Sequence, residues 1–396
     1  MKPLQGIRVL EMGQLIAGPY CGQLLADFGA EVVKVEPPGS GDAMRQWGRA
    51  DAEGNTPWWS VIGRNKKSIT LNLREPEGQA VAKQLAAKAD ILVENFRVGT
   101  LERWGLGWEA LSAINPGLIM VRITGFGQSG PYAGRAGFAA VCEAMGGLRY
   151  ISGYPDRPPV RVGLSLGDSL AGMHGALGAM MALQYRHQTG RGQVVDASIL
   201  ESVLGMTEGL VAEYDRGGHI RERFGSALPG LAPSNAYPTS DGREIVIGAN
   251  QDSVFQRLCE AMDQPELAED LRYATHRARG ERQQELDERI AEWTRRHPAE
   301  VLVARLADAG VPAGLAYRAP DMLADPHFKA RDSITRVPDP RFGDLAMQNV
   351  FPRLSESPGA IDHTGPGLGE HTEAVLREWI GLDDEHLQRL RHDNVI

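Results

Sequence analysis

Short apolar runs alternate with helical patterns along the first half of the chain. Ile7 to Met12 is β-prone, and Gly18-Pro19 then opens a helical pattern through Leu24, Leu25 and Phe28 that Gly29 closes. Glu31 to Glu36 is a second strand, ended by Pro37-Pro38-Gly39. The unit recurs: a strand over Lys67 to Leu73, a helix from Pro76 to Ala89, and strands over Asp90–Glu94 and Leu118–Thr124. Pro76 suits a first helical turn, where its missing N–H costs nothing. Strands alternating with helices predict an α/β fold, a parallel sheet covered on both faces.

A long helix follows over Ser169 to His187, with Gly172, Gly175 and Gly178 at threefold spacing. Each glycine costs a helix about 1 kcal/mol, so three on one face predict close backbone packing. The turn Thr189 to Gln193, a strand over Val194–Asp196 and another helix come next. The pattern breaks over 215–243, where Asp215-Arg216-Gly217-Gly218 and Pro229-Gly230-Leu231-Ala232-Pro233 read as a linker. A compact unit succeeds it, with a strand over Glu244–Gly248, a helix over Ser253–Met262, charged helices over 280–308 and an extended run over Pro312–Tyr317. The tail from Leu368 is helical.

With 396 residues, 42% of them hydrophobic and 23% charged, the chain can bury a sizeable core. A net charge of −9 disfavours nucleic acid or an anionic membrane as partner. Three scattered cysteines, Cys21, Cys142 and Cys259, suggest a reducing compartment and show no metal-ligand spacing. No signal peptide or membrane-length apolar run is evident, so a cytoplasmic protein is expected.

Gly167-Asp168 places one carboxylate at the mouth of the glycine-rich helix. The ordinary use of an Asp there is to cap backbone N–H groups. The alternative rests on the same physics: a helix N-terminus favours an ionised carboxylate, which can attack a thioester. Gly167 beside it would then let a ligand approach closely. Gly125-Phe126-Gly127-Gln128-Ser129-Gly130 matches a dinucleotide fingerprint, but Pro131-Tyr132-Ala133-Gly134 prolongs a loop where that reading needs a helix. Lys66, Lys67, Arg97 and Arg103 are ordinary surface charges taken singly. Together with Asn95-Phe96 they suit a nucleotide phosphate and an adenine. His174 and His187 have no evident partner.

These motifs in this order resemble the class III coenzyme A transferases, the CaiB/BaiF family. The likeness runs through Ala17-Gly18-Pro19, Gly29 to Glu36, Pro38 to Asp42, Asn65 to Ile69, Asp90 to Phe96, Gly167-Asp168, Thr189 to Gln193 and Leu368 to Thr372. It implies an interlocked homodimer with a Rossmann-like large domain over 1–214 and 321–396 and a small domain over 244–320. It also implies that Asp168 is a nucleophile forming an aspartyl anhydride and then an aspartyl-CoA thioester. By the same likeness Leu15, Ala17, Lys67, Asn95, Phe96 and Arg103 contact CoA, and no metal or separate cofactor is needed.

Formyl-CoA transferases carry Arg, Gln and Tyr where Pro38, Ile16 and Phe126 stand here, and their run of four glycines is missing. Racemases of the same fold use a His-Asp pair, whereas Ala136-Gly137-Phe138-Ala139-Ala140 has no histidine. The chain looks most like succinyl-CoA-dependent transferases for glutarate, itaconate or mesaconate. Arg45, Arg49 and Arg135 are then candidates for the far carboxylate of a dicarboxylic acid, with Phe126 nearby. An acyl-CoA racemase, a nucleotide-binding oxidoreductase and a non-catalytic CoA-binding protein are the competing readings.

Overall fold

The computed structural model describes residues 1–396. Its central element is a six-stranded parallel sheet in the order β3-β2-β1-β4-β5-β6, made of β1 (Arg8–Glu11), β2 (Glu31–Glu36), β3 (Lys66–Thr70), β4 (Ile91–Glu94), β5 (Ile119–Thr124) and β6 (Val194–Ser198). The predicted parallel α/β sheet is therefore present, and its strand order reverses between β1 and β4. Successive strand residues face opposite sides, so both faces must be apolar. Val9, Val32, Ile91 and Val93 belong to the core on one side, while Leu10, Val33 and Leu92 belong to the core on the other.

The first face is covered by α1 (Ala17–Asp27) and by a long helix, Leu166–Thr189. Between β2 and that helix lie α2 (Pro57–Ile62), α3 (Pro76–Ala86), α4 (Thr100–Arg103), α5 (Trp108–Ile114) and α6 (Ala139–Met145), so the long helix is α7. Val81 and Leu85 of α3, Leu111 of α5, and Val375 and Trp379 of the tail helix Thr372–Ile380 cover the second face. The tail is fixed to β3: the Thr70 N–H donates to Thr372 Oγ1 and the His371 N–H to the Ser68 carbonyl. Beyond β6 lie α8 (Ile199–Leu204) and α9 (Leu210–Gly217).

Met1–Leu148, Arg161–Gly217 and Lys329–Ile396 form one compact unit, and Arg149–Val160 with Gly218–Phe328 form a second. In the second, β7 (Ser234–Pro238), β8 (Glu244–Gly248) and β9 (Ala313–Leu315) make an antiparallel sheet. Ile245 and Ile247 of β8 pack with Phe255, Leu258, Ile290 and Leu302 of its helices. The stretch 215–243 is thus more than a linker: β7 lies within it, a five-residue strand whose flanking Gly and Pro obscure it in the sequence. The return segment likewise holds a hairpin, β10 (Ile334–Asp339) with β11 (Gly343–Gln348), that the polar composition conceals.

Candidate active site

Ligands of open α/β sheets bind at the carboxyl ends of the strands, where the strand order reverses. Here the β1–α1 loop occupies that place and is held from beneath by buried charges. Asp42 and Lys34 pair at 2.9 Å, Lys66 and Glu11 at 2.8 Å, and Lys34 also donates to the Gly13 carbonyl. Buried charges persist only when paired and hydrogen-bonded. The Asp42 carboxylate accepts the Leu15 N–H, which holds Leu15 in the left-handed region at φ 64°. Asn95, just past β4, grips the same loop through both atoms of its amide, accepting the Gln14 N–H at 2.7 Å and donating to the Gln14 carbonyl at 2.8 Å.

An open cavity of about 970 Å³ runs along these strand ends. Its walls include Pro38–Gly41 after β2, Leu71–Arg74 after β3, and Phe96 and Trp104 after β4. Phe96 meets Trp104 edge to face at 5.2 Å, an apolar corner suited to a flat ring. Arg103 sits beside it on α4, its guanidinium donating to Thr100 Oγ1. Of the six expected CoA contacts only Phe96 lines this cavity; Leu15 belongs to the β1–α1 loop that Asn95 clamps, Ala17 begins α1, and Arg103 on α4 precedes Trp104.

Lys67 does not join them. It lies at the start of β3, paired with Glu31 at 2.6 Å, and Glu378 of the tail helix is 3.7 Å away. From there to Leu71 is about 13 Å of extended chain. The run from Lys66 to Leu73 reads as one strand, and only the direction of the sheet tells which end faces the cavity. That end carries Arg74, which lines the cavity and was not among the sequence candidates.

Asp168 is the third residue of α7. It is not the cap: the helix begins at Leu166 after Ser165, and the Gly167 N–H is taken by Glu143 of α6 at 3.1 Å. Nor does Gly167 face a ligand. A Cβ there would come within 3.0 Å of Ile199 and 3.2 Å of Glu143, so its smallness lets α6 and α8 pack against α7. With capping done by Glu143, no hydrogen bond engages the Asp168 carboxylate. Burial, then the Glu143 carboxylate, pushes its pKa up to about 6, and Arg161 pulls the other way. Cys142 on α6 is pushed up to about 11 by burial and by Asp168.

One turn along α7, a Cβ on Gly172 would lie 2.8 Å from the Ala17 carbonyl. Residues four apart share a helix face, so Asp168 stands on the α1 side of α7, beside the loop that carries Leu15 and Ala17. The expected glycine packing is present throughout: Gly175 meets Val121 and Ile123, and Gly178 meets Val195.

The remaining candidates are dispersed. Arg45 is committed to Glu36 at 2.7 Å and to the Pro366 carbonyl, and lies over the Trp59 ring. Arg49 is exposed in an irregular stretch. Phe126 meets Tyr132 edge to face, and Arg135 lies 3.8 Å over that Tyr132 ring. The loop Gly125–Gly134 leads to no helix until α6, so the dinucleotide fingerprint is not realised. His174 and His187 are exposed on α7.

The family model for CoA-transferase family III matches residues 4–372. The chain is 58% identical, over 100% of its length and 98% of the relative's, to a succinyl-CoA–D-citramalate CoA-transferase of Chloroflexus aurantiacus. It is 34% identical to the mouse succinyl-CoA:glutarate CoA-transferase, over 100% of this chain and 91% of that one. A CaiB/BaiF family protein of Brucella suis has the same fold, with a TM-score of 0.85 at 37% identity, covering 96% of this chain and 99% of that one. The strand-end cavity and the first-turn carboxylate of α7 thus sit in a scaffold shared end to end with known transferases, and the chain belongs to CoA-transferase family III, a CoA-transferase of the CaiB/BaiF type.

Proposed function

We propose that this enzyme moves CoA from succinyl-CoA to a short dicarboxylic acid, with Asp168 as the nucleophile. The observation that carries the reading is the Asp168 carboxylate itself, half-buried in the first turn of α7, relieved of capping by Glu143 and ionised at neutral pH. The positive end of α7 favours the negative charge that develops on each carbonyl oxygen during attack.

An Asp168 oxygen attacks the succinyl-CoA carbonyl, the C–S bond breaks, and an aspartyl–succinyl anhydride and CoA thiolate result. The thiolate attacks the aspartyl carbonyl and releases succinate, leaving an aspartyl-CoA thioester. The acceptor carboxylate then attacks that thioester, expelling thiolate and forming a second anhydride. The thiolate attacks the acceptor's carbonyl, which yields the new acyl-CoA and restores the Asp168 carboxylate. No proton is gained or lost over the cycle. Phe96 and Trp104 receive the adenine, Arg74 and Arg103 the phosphates, and the Leu15–Ala17 loop the pantetheine arm.

The relatives support one class of acceptor over another. Relatives at 58%, 44% and 42% identity are named for hydroxylated dicarboxylates, D-citramalate for the first and L-malate for the other two, which are subunits of one enzyme type. The glutarate enzymes stand at 34–35%. A hydroxylated four- or five-carbon diacid is therefore favoured over plain glutarate. The test is transfer from succinyl-CoA to D-citramalate, L-malate, glutarate, itaconate, mesaconate and acetate, read by product mass. New diacid-CoA species that vanish in Asp168→Ala are expected. Transfer that survives in the variant removes Asp168 as nucleophile, and transfer to acetate alone removes the dicarboxylate.

A further inference from the structure

A dicarboxylate joined through one carboxyl keeps the second one charged. Bound near Asp168 and Glu143, that charge would be the third carboxylate in one small space. Like charges so close raise one another's energy steeply in a partly dry site, so a cation must face the far carboxylate. Arg45 is saturated by Glu36 and the Pro366 carbonyl, and Arg135 is laid on Tyr132. Neither has a charge that bears on Asp168, whereas the charge of Arg161 does.

Arg161 precedes α7 by a short irregular stretch in the same compact unit. Its Nη2 lies 3.5 Å from Ser165 Oγ and its Nε 3.9 Å from Glu143 Oε2. Charge-assisted guanidinium–carboxylate bonds close to about 2.7–2.9 Å and are often bidentate. These two contacts aim the side chain but leave its fork unfilled, and the side chain is 46% exposed. An arginine so aimed and so lightly held is built to accept a further carboxylate.

We propose that Arg161 binds the far carboxylate of the dicarboxylyl group, in donor and acceptor alike, and so selects diacids over monoacids. This rests on the dicarboxylate reading above. Ser165 and Glu143 keep the guanidinium beside the first turn of α7. Because succinate and the acceptor take turns on Asp168, one cation serves both halves of the cycle.

The first arm of the test uses Asp168→Ala, which leaves thioesters intact. Calorimetry compares succinyl-CoA with butyryl-CoA, which differs by a methyl in place of the far carboxylate. Succinyl-CoA should bind at least 10-fold tighter, and adding Arg161→Gln should erase that preference while butyryl-CoA affinity changes less than 3-fold. The second arm is turnover: Arg161→Gln alone should lower kcat/KM for succinyl-CoA and the diacid by 100-fold or more, and Arg161→Lys should restore part of it. A preference for succinyl-CoA that survives Arg161→Gln overturns the proposal, as does an equal loss for both thioesters. If Asp168→Ala binds both thioesters alike while wild-type enzyme transfers CoA only among monoacids, the dicarboxylate reading fails first.

Discussion

On the proposed mechanism Asp168 attacks only when ionised, so the forces on its carboxylate are forces on the rate. Burial and Glu143 raise its pKa to about 6, so the reactive form is lost as pH falls through that value. The lower limb of the kcat/KM profile reports the free enzyme and should fall near pH 6. Glu143→Gln keeps an oxygen to accept the Gly167 N–H but removes the neighbouring charge, so the limb should move to lower pH with the fold intact. A limb that stays in place would show that Glu143 is only a cap. None of this could be read from the chain. Asp168 was visible as a carboxylate at a helix mouth, but its cap comes from α6, whose Glu143 nothing near Gly167 announces. Lys67 and Arg74 show the converse, since two basic residues at opposite ends of one apolar run differ only in which end the parallel sheet turns toward the cavity.

At the scale of elements, the proposed mechanism requires α7 to lie close to α1. Gly172 allows that approach, because a Cβ would press on the Ala17 carbonyl at 2.8 Å, and a carbonyl within a helix cannot swing aside. Gly172→Ala should separate the helices, destabilise the protein by about 1–3 kcal/mol and carry the Leu15–Ala17 loop away from Asp168. Urea melts should give the stability loss, and kcat/KM should fall beyond what the unfolded fraction explains. Unchanged activity in a destabilised variant would mean that the spacing is structural alone. The threefold glycine spacing made this contact legible in the sequence, as apolar alternation made the parallel sheet legible. The strand β7 and the hairpin β10–β11 were hidden because short antiparallel strands with one exposed face carry few apolar residues, and Pro and Gly beside them read as turns.

For the whole molecule, the decisive feature is what α7 leaves uncovered. Its inner face is Gly and Ala, yet Met173, Leu177, Met181 and Tyr185 recur every four residues on the outside, with Leu177 52% and Met181 62% exposed. All of α9 lacks a buried residue, and its Val211 and Tyr214 are exposed as well. Scattered apolar residues on a surface are ordinary, but a contiguous stripe along a 24-residue helix marks an interface. We propose that the stripe meets a second copy of the chain, in keeping with the interlocked homodimer that the family resemblance implies. Light scattering at micromolar concentration should give twice the 43.0 kDa of one chain. Leu177→Glu with Met181→Glu would bury charges without partners, at several kcal/mol each, and should yield monomer or aggregate. A double variant that stays a dimer would place the interface elsewhere, and a wild-type monomer would leave the stripe without its proposed occupant. The stripe lies on the helix that carries Asp168, so loss of the dimer should reach activity too. Monomeric fractions should transfer CoA more slowly even though Asp168, Glu143 and Arg161 are intact, because the first turn of α7 then loses the packing that holds the rest of its helix.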